Sequence, residues 1–489
     1  MFAELHVERG RIRAILPSIT GTIIRTETDT FEFPGCSVYP GFVDNHAHIL
    51  GLGERLTFVS LHDAETESEC IHRLAKGSTN THGWLRAMGW NQELWKSRSW
   101  PTRVALDAVF PDTPVVAMRV DGHAAWVNST ALTLAGIDVT EHPGILVDAE
   151  MEPLLNVIPQ HSAEDIRAMI LAATTYCSSM GITEIHDMDV AEVCLEPFRL
   201  LAEQGTLPVR VQSFVGAHHD EWQDIGLLPA GGEFHRLTGV KFYADGALGS
   251  RGAALRTPYA DSPSTTGFAL LSREQMVRKA RAAVDAGWPA IAIHAIGDAA
   301  VRNVLDVYET VRTWDDGSDV ILRIEHAQHV HPEDVQRMAD LRVFACVQPS
   351  HCISDAAMAE HRLGPDRLMW AYRWRSLLDA GIQVGAGSDF PIESPSVLAG
   401  LQAFVSRTPG GMSSPWQGQE RISMIEALRA YTSGAHATSG MEYRRGSLNI
   451  GYDADMVVVD RDVESCDIDE LVDTRVMATF TAGKLRYSL

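Results

Sequence analysis

The sequence predicts an α/β protein built on a (β/α)8, TIM-type barrel with an inserted subdomain after its first strand. Three observations predict it. Eight apolar runs of strand length are separated by helix-period segments, the pattern of a parallel sheet whose strands are buried on both faces. Both chain ends alternate apolar and polar residues instead, and a tryptophan-rich stretch separates the first two runs.

In chain order, Leu5, Val7, Ile12, Ala14, Leu16 and Ile23-Ile24 alternate around Gly10 and Gly21, which reads as short strands joined by tight turns. The first barrel run ends at His46. The others are Ile182–His186, Val209–Phe214, Val240–Ala244, Ala290–His294, Ile321–His326, Val343–Val347 and Gln383–Ala386. Between runs, Ser272 with Gln275 forms a capping box ahead of Met276, Ala280, Ala283 and Val284 on one face, and Gly287 stops that helix. A second helix starts at Pro332, and a third is expected over Leu368–Asp379 before Gly381. Asp455–Asp460 and Val476–Thr481 read as strands, with a hairpin turn at Gly483-Lys484, so the two ends can pair into one β-unit.

The stretch from Leu61 to Ser162 carries Trp84, Trp90, Trp95, Trp100 and Trp126. Inserted after a barrel strand, it either roofs the active-site face or fills its own core with those tryptophans.

Composition narrows the partners. The chain has 489 residues, several times the ~150 of a one-domain prior. With 41 Lys+Arg against 64 Asp+Glu its formal charge is -23, which disfavours nucleic acid and anionic membranes. A small-molecule substrate is expected, and a homodimer is compatible with such a barrel. The seven cysteines are scattered without a C-x-x-C pair, so no disulfide framework or zinc ribbon is indicated. No signal peptide and no 18-residue apolar run is found, and the expected compartment is the reducing cytoplasm.

The informative polar residues lie where apolar strands end. His46 and His48, two apart on an extended backbone, point the same way, which suits a chelate. Lys241 lies in the fourth run, His294 ends the fifth, His326 ends the sixth, and Asp389 follows the eighth. In a barrel all face one rim. Imidazoles with a carboxylate favour zinc, with iron, manganese, nickel or cobalt admitted. An ammonium deep in a barrel cannot ligate a metal. Lys241 therefore either pairs with an acid such as Asp245 or reacts with carbon dioxide to give a carbamate whose two oxygens can bridge cations.

The assembly of Pro40-Gly41-Phe42-Val43-Asp44-Asn45-His46-Ala47-His48, Gly239-Val240-Lys241-Phe242-Tyr243-Ala244-Asp245-Gly246, Ile293-His294-Ala295-Ile296-Gly297-Asp298, Arg323-Ile324-Glu325-His326-Ala327-Gln328 and Gly387-Ser388-Asp389 resembles the amidohydrolase superfamily. More narrowly, it is similar to the branch that includes N-substituted formamide deformylase. Gly89-Trp90-Asn91 and Arg119-Val120-Asp121-Gly122-His123-Ala124-Ala125-Trp126 extend the likeness into the insertion.

The resemblance implies a β-sandwich from residues 1–42 and 443–489, a metal-bearing barrel from 43–60 and 163–442, and an insertion over the active site at 61–162. It also implies one metal on His46, His48 and Asp389, a second on His294 and His326, and carboxylated Lys241 bridging them, although members differ in metal count.

The expected reaction is hydrolysis of a non-peptide C–N bond, of amide or formamide type, by water activated on the metal. Asp389 would carry the proton to the departing amine. His351 and His123 are candidate catalytic residues, and Trp90, His186 and Arg251 candidate substrate contacts, each weighed against ordinary packing or pairing. Alternatives are a lactone or ester hydrolase on the same site, a metal-free glycosidase with paired carboxylates, and a non-catalytic metal-binding regulatory protein. Neither G-x-x-x-x-G-K-[ST], G-x-S-x-G nor H-E-x-x-H is found.

Overall fold

A computed structural model describes residues 2–120, 122–218, 221–225, 232–314 and 319–489; Asp121, quoted in the insertion motif, lies outside them. The eight runs form one parallel eight-stranded sheet. Its strands are β1 (Phe42–Ala47), β2 (Ile182–Val190), β3 (Arg210–Gly216), β4 (His235–Tyr243), β5 (Ala290–Ala295), β6 (Ile321–His326), β7 (Val343–Val347) and β8 (Val384–Ala386). Each pairs in parallel with the next. The first and last strands meet at their C-terminal ends, where the Asp389 N–H donates to His46 O at 2.7 Å and the His48 N–H to Phe390 O at 2.9 Å. The ring is thereby nearly closed. Every residue of β1 and β5 is buried, as a sheet covered on both faces requires.

The intervening helices follow the sequence signals. Ser272 and Gln275 form both bonds of the capping box before Arg273–Asp285, and Pro332 opens Pro332–Asp340. The helix expected over Leu368–Asp379 is broken instead into a 3-10 turn, Pro365–Trp370, and a helix, Trp374–Asp379. Between them Tyr372 takes a left-handed φ of 52°. Its N–H donates to Gln328 O at 2.7 Å, so a tertiary bond replaces a helical one.

Two four-stranded sheets come from the chain ends. One holds Ala3–Glu8, Arg11–Pro17, Gly21–Arg25 and Thr30–Pro34. In the other, Ser37–Pro40 pairs antiparallel with Met456–Val459, which continues through Val476–Thr481 to Lys484–Ser488. Leu5, Ile12, Ile24, Val38, Met456 and Phe480 share one buried cluster across them. The hairpin turn is Ala482-Gly483, both at positive φ, one residue earlier than the sequence suggested.

Residues Ile49–Ala173 form a separate compact unit. Its five-stranded sheet runs in the order Ile145–Val147, Ala124–Val127, Val115–Arg119, Leu85–Trp90, Val59–Ser60. Trp90, Trp95 and Trp126 are buried in its core, and their ring N–H groups donate to Ala117 O, Ala64 O and Thr102 O at 2.9, 3.0 and 3.0 Å. These tryptophans fill the unit's own interior. None of the seven cysteines is in a disulfide, and no described helix is long and apolar enough to cross a membrane.

Candidate metal centre

At the C-terminal ends of the strands, buried and half-buried imidazoles and a carboxylate converge. His48 Nε2 lies 3.1 Å and His46 Nε2 3.5 Å from Asp389 Oδ1, and His351 Nε2 lies 3.9 Å from Asp389 Oδ2. The His294 and His326 rings pack at 4.5 Å between centroids, and those of His46 and His326 at 4.8 Å. Backbone geometry turns the ligands inward: His326 and Asp389 sit at φ of 71° and 59°, conformations that non-glycine residues adopt at a cost.

The ring orientations are set from behind. The Glu325 carboxylate, 2.6 Å from His46 Nδ1, can only accept, so the proton sits on Nδ1 and the Nε2 lone pair faces inward. The Met188 carbonyl does the same for His48 at 3.1 Å. Gln348 Oε1 holds His326 Nδ1 at 2.7 Å. His294 Nε2 and His351 Nε2 are buried with no hydrogen-bond partner. Two sets, His46–His48–Asp389 and His326–His351–Asp389, have ligand atoms within 4.8 Å of one another. Imidazole nitrogens and a carboxylate gathered with few donors among them are what a divalent cation requires, and the residues present fit one.

Charge states agree. Burial lowers the His46 pKa to about 4, helped by the Lys241 charge, and lowers His294 to about 3, so both are neutral imidazoles at neutral pH, the form that can ligate. Burial alone would raise Asp389, but the surrounding imidazoles, His46 foremost, hold it well below the usual carboxylate range. His48 departs from this: burial lowers it, but the hydrogen bond to Asp389 outweighs burial and raises it, so Nε2 would have to give up its proton to ligate. Burial lowers the Lys241 amine.

Lys241 is buried and makes no ion pair among the described residues, its Nζ lying 4.7 Å over the Tyr243 ring. The salt bridge to Asp245 is not formed. That carboxylate accepts instead from the backbone N–H groups of Ala254, Ile296 and Gly297 at 2.8 to 3.0 Å.

The six expected ligands and His351 line one cleft of about 460 Å³. Neither His186 nor Arg251 lines it. His186 is buried beside Arg323 Nη1 at 3.0 Å and Glu184 at 3.3 Å, a satisfied interior histidine. Arg251 pairs with Asp261 at 2.9 Å, which spends its charge. His123, in the inserted unit, is largely exposed with Nδ1 2.8 Å from Asp148, and Trp90 is core.

Sequence reasoning missed Glu325 and Gln348 as orienting groups. The signal for Glu325 was legible: Arg323 and Glu325 are charged residues inside a run that otherwise reads as a buried barrel strand. Arg323 clamps Glu325 at 2.7 Å and reaches Asn45 O on β1 at 2.9 Å.

A barrel whose strand ends gather these ligands around one cleft defines a metal-dependent hydrolase. Residues 34–487 match the model of the amidohydrolase family, and the chain belongs to that family: it is a hydrolytic enzyme acting on carbon–nitrogen bonds with divalent metal. YtcJ of Bacillus subtilis (strain 168) is 32% identical over 489 aligned residues, covering 94% of this chain and 91% of its own. N-substituted formamide deformylase of Arthrobacter pascens is 27% identical over 498, covering 94% and 90%. The crystal structure of an uncharacterised metal-dependent hydrolase from Pyrococcus horikoshii superposes with a TM-score of 0.79 at 28% identity, covering 96% of this chain and 99% of that one.

Proposed function

We propose that this enzyme hydrolyses an amide or formamide C–N bond, other than a peptide bond, in a small molecule. The observation that carries this reading is the convergence of His46 and His48 Nε2 on Asp389 Oδ1. Similarity to the N-substituted formamide deformylase supports the bond type. His46, His48 and Asp389 would hold one ion and His294 and His326 a second, with Lys241 as its carbamate between them and zinc the first choice of metal. Bound there, such ions supply a water acidic near neutral pH and a Lewis acid for the carbonyl.

The side chains do the rest. Asp389, kept ionised by its imidazole neighbours, takes the proton from water and returns it to the amine nitrogen, which leaves poorly unless protonated. His351, facing Asp389 across the cleft, offers a hydrogen bond to the carbonyl oxygen as it gains charge. Glu325 and Gln348 keep the ligand rings from rotating. The two terminal sheets would pack as a β-sandwich of residues 1–42 and 443–489, and the enzyme would be soluble, cytoplasmic and able to dimerise.

The test is a screen of metal-loaded protein against formamides, acyl-amines, hydantoins and lactones, with and without chelator. Chelator-sensitive turnover of formamides or acyl-amines is expected. Turnover of lactones alone moves the reading to ester hydrolysis, full activity in chelator contradicts it, and silence throughout favours a regulatory protein.

A further inference from the structure

The cleft has two unlike walls. One is the ligand set. The other is a face of the helix Pro349–Leu363, where His351, Ser354, Asp355 and Met358 follow the i, i+3, i+4, i+7 spacing and all line the cleft. The opposite face, with Cys352, Ala356, Ala359 and Leu363, is buried.

Asp355 is held from behind. Its Oδ2 accepts from Tyr372 OH at 2.7 Å and from Gln328 Nε2 at 2.9 Å. A carboxylate only accepts, so the Gln328 amide must turn its nitrogen to Asp355, leaving the acceptor Oε1 as its free end. Tyr372 is itself fixed, its N–H donating to Gln328 O at 2.7 Å and its carbonyl accepting from Arg407 Nη1 at 2.9 Å. Three segments thus agree on one orientation of the Asp355 carboxylate. Neither Asp355 nor Glu393, which also lines the cleft, has an ion-pair partner among the described residues, and no described arginine lines it. Apolar side chains, Leu248, Ile296, Met358 and Ile392, line much of the rest of the cleft.

A wall that accepts hydrogen bonds and carries uncompensated negative charge attracts a donor and repels an anion. Resting on the reading of this site as an amide hydrolase, we propose that Asp355 determines specificity: it selects substrates whose apolar body carries an ammonium, amidinium or other N–H donor group, and the cleft rejects carboxylate-bearing ones.

Three formamides of equal chain length test this, their amine substituents ending in an ammonium, a methyl or a carboxylate group. For the metal-loaded wild type, kcat/KM is expected to fall in that order, by about tenfold or more from ammonium to methyl. Asp355→Asn should abolish the ammonium advantage, mainly through KM, while changing the methyl compound less than about threefold. Tyr372→Phe, which removes a buttress but keeps the charge, should preserve the ranking.

A wild type that prefers the carboxylate compound overturns the proposal, and that ranking needs no variant to fold. So does an Asp355→Asn enzyme that keeps the ammonium advantage, or a Tyr372→Phe enzyme that loses it as completely as Asp355→Asn, which would make Asp355 purely structural. Turnover of none of the three contradicts the reaction and not the wall. Calorimetric dissociation constants for the same compounds then decide the ranking by the same criteria.

Discussion

The barrel rim and the inserted unit both bury conspicuous side chains, for opposite reasons. At the rim, imidazole nitrogens and a carboxylate oxygen face one another with few donors between them, an arrangement that costs free energy unless a cation joins them. In the insertion, Trp90, Trp95 and Trp126 bury their rings and satisfy each N–H with a backbone carbonyl, which stabilises the unit outright. Burial alone therefore does not mark function. Convergence of several imidazole nitrogens on one carboxylate does.

Substitutions can break or sharpen that contrast. The largest effect is expected for Asp389→Asn, which should retain metal by elemental analysis yet lower kcat by about 10²–10⁴-fold; near-wild-type rates would remove its role as proton carrier. Lys241→Ala should lose most bound metal and recover it when a short carboxylate is supplied, and normal metal content would refute the carbamate. Trp126→Ala should destabilise the inserted unit by about 3–5 kcal/mol in denaturant unfolding while leaving metal content unchanged. Loss of metal in that variant would erase the distinction between the regions.

Glu325→Gln removes the anion that orients His46. Metal affinity, read by chelator competition, should fall about 10–100-fold, and an unchanged affinity would show that His46 needs no such support. The smallest effect belongs to His123→Ala: its exposed pairing with Asp148 should be worth less than about 1 kcal/mol in thermal unfolding.

The barrel was legible because parallel strands buried on both faces leave largely apolar runs, and the residues that line its cleft because most stand at or just past the end of a run, Lys241 within one. His46, His48, Lys241, His294, His326 and Asp389 needed only that register. The orienting groups were harder. Gln348 looks like any polar residue after a strand, and its role depends on the distance to His326 across two strands. His186 misled because it too ends a run, yet Arg323 and Glu184 satisfy it. Arg251 misled for want of its partner Asp261, ten residues on. The break at Tyr372 was invisible because its cause is a bond to Gln328, far away in sequence.

The account rests on one centre holding a divalent cation. The most direct measurement is metal stoichiometry by elemental analysis, taken on wild type and on the His46→Ala/His48→Ala double variant alongside activity. One or two ions per chain, lost together with turnover in the variant, is the predicted result. A folded, active wild type carrying only trace metal, or a double variant that keeps both its metal and its activity, would contradict it.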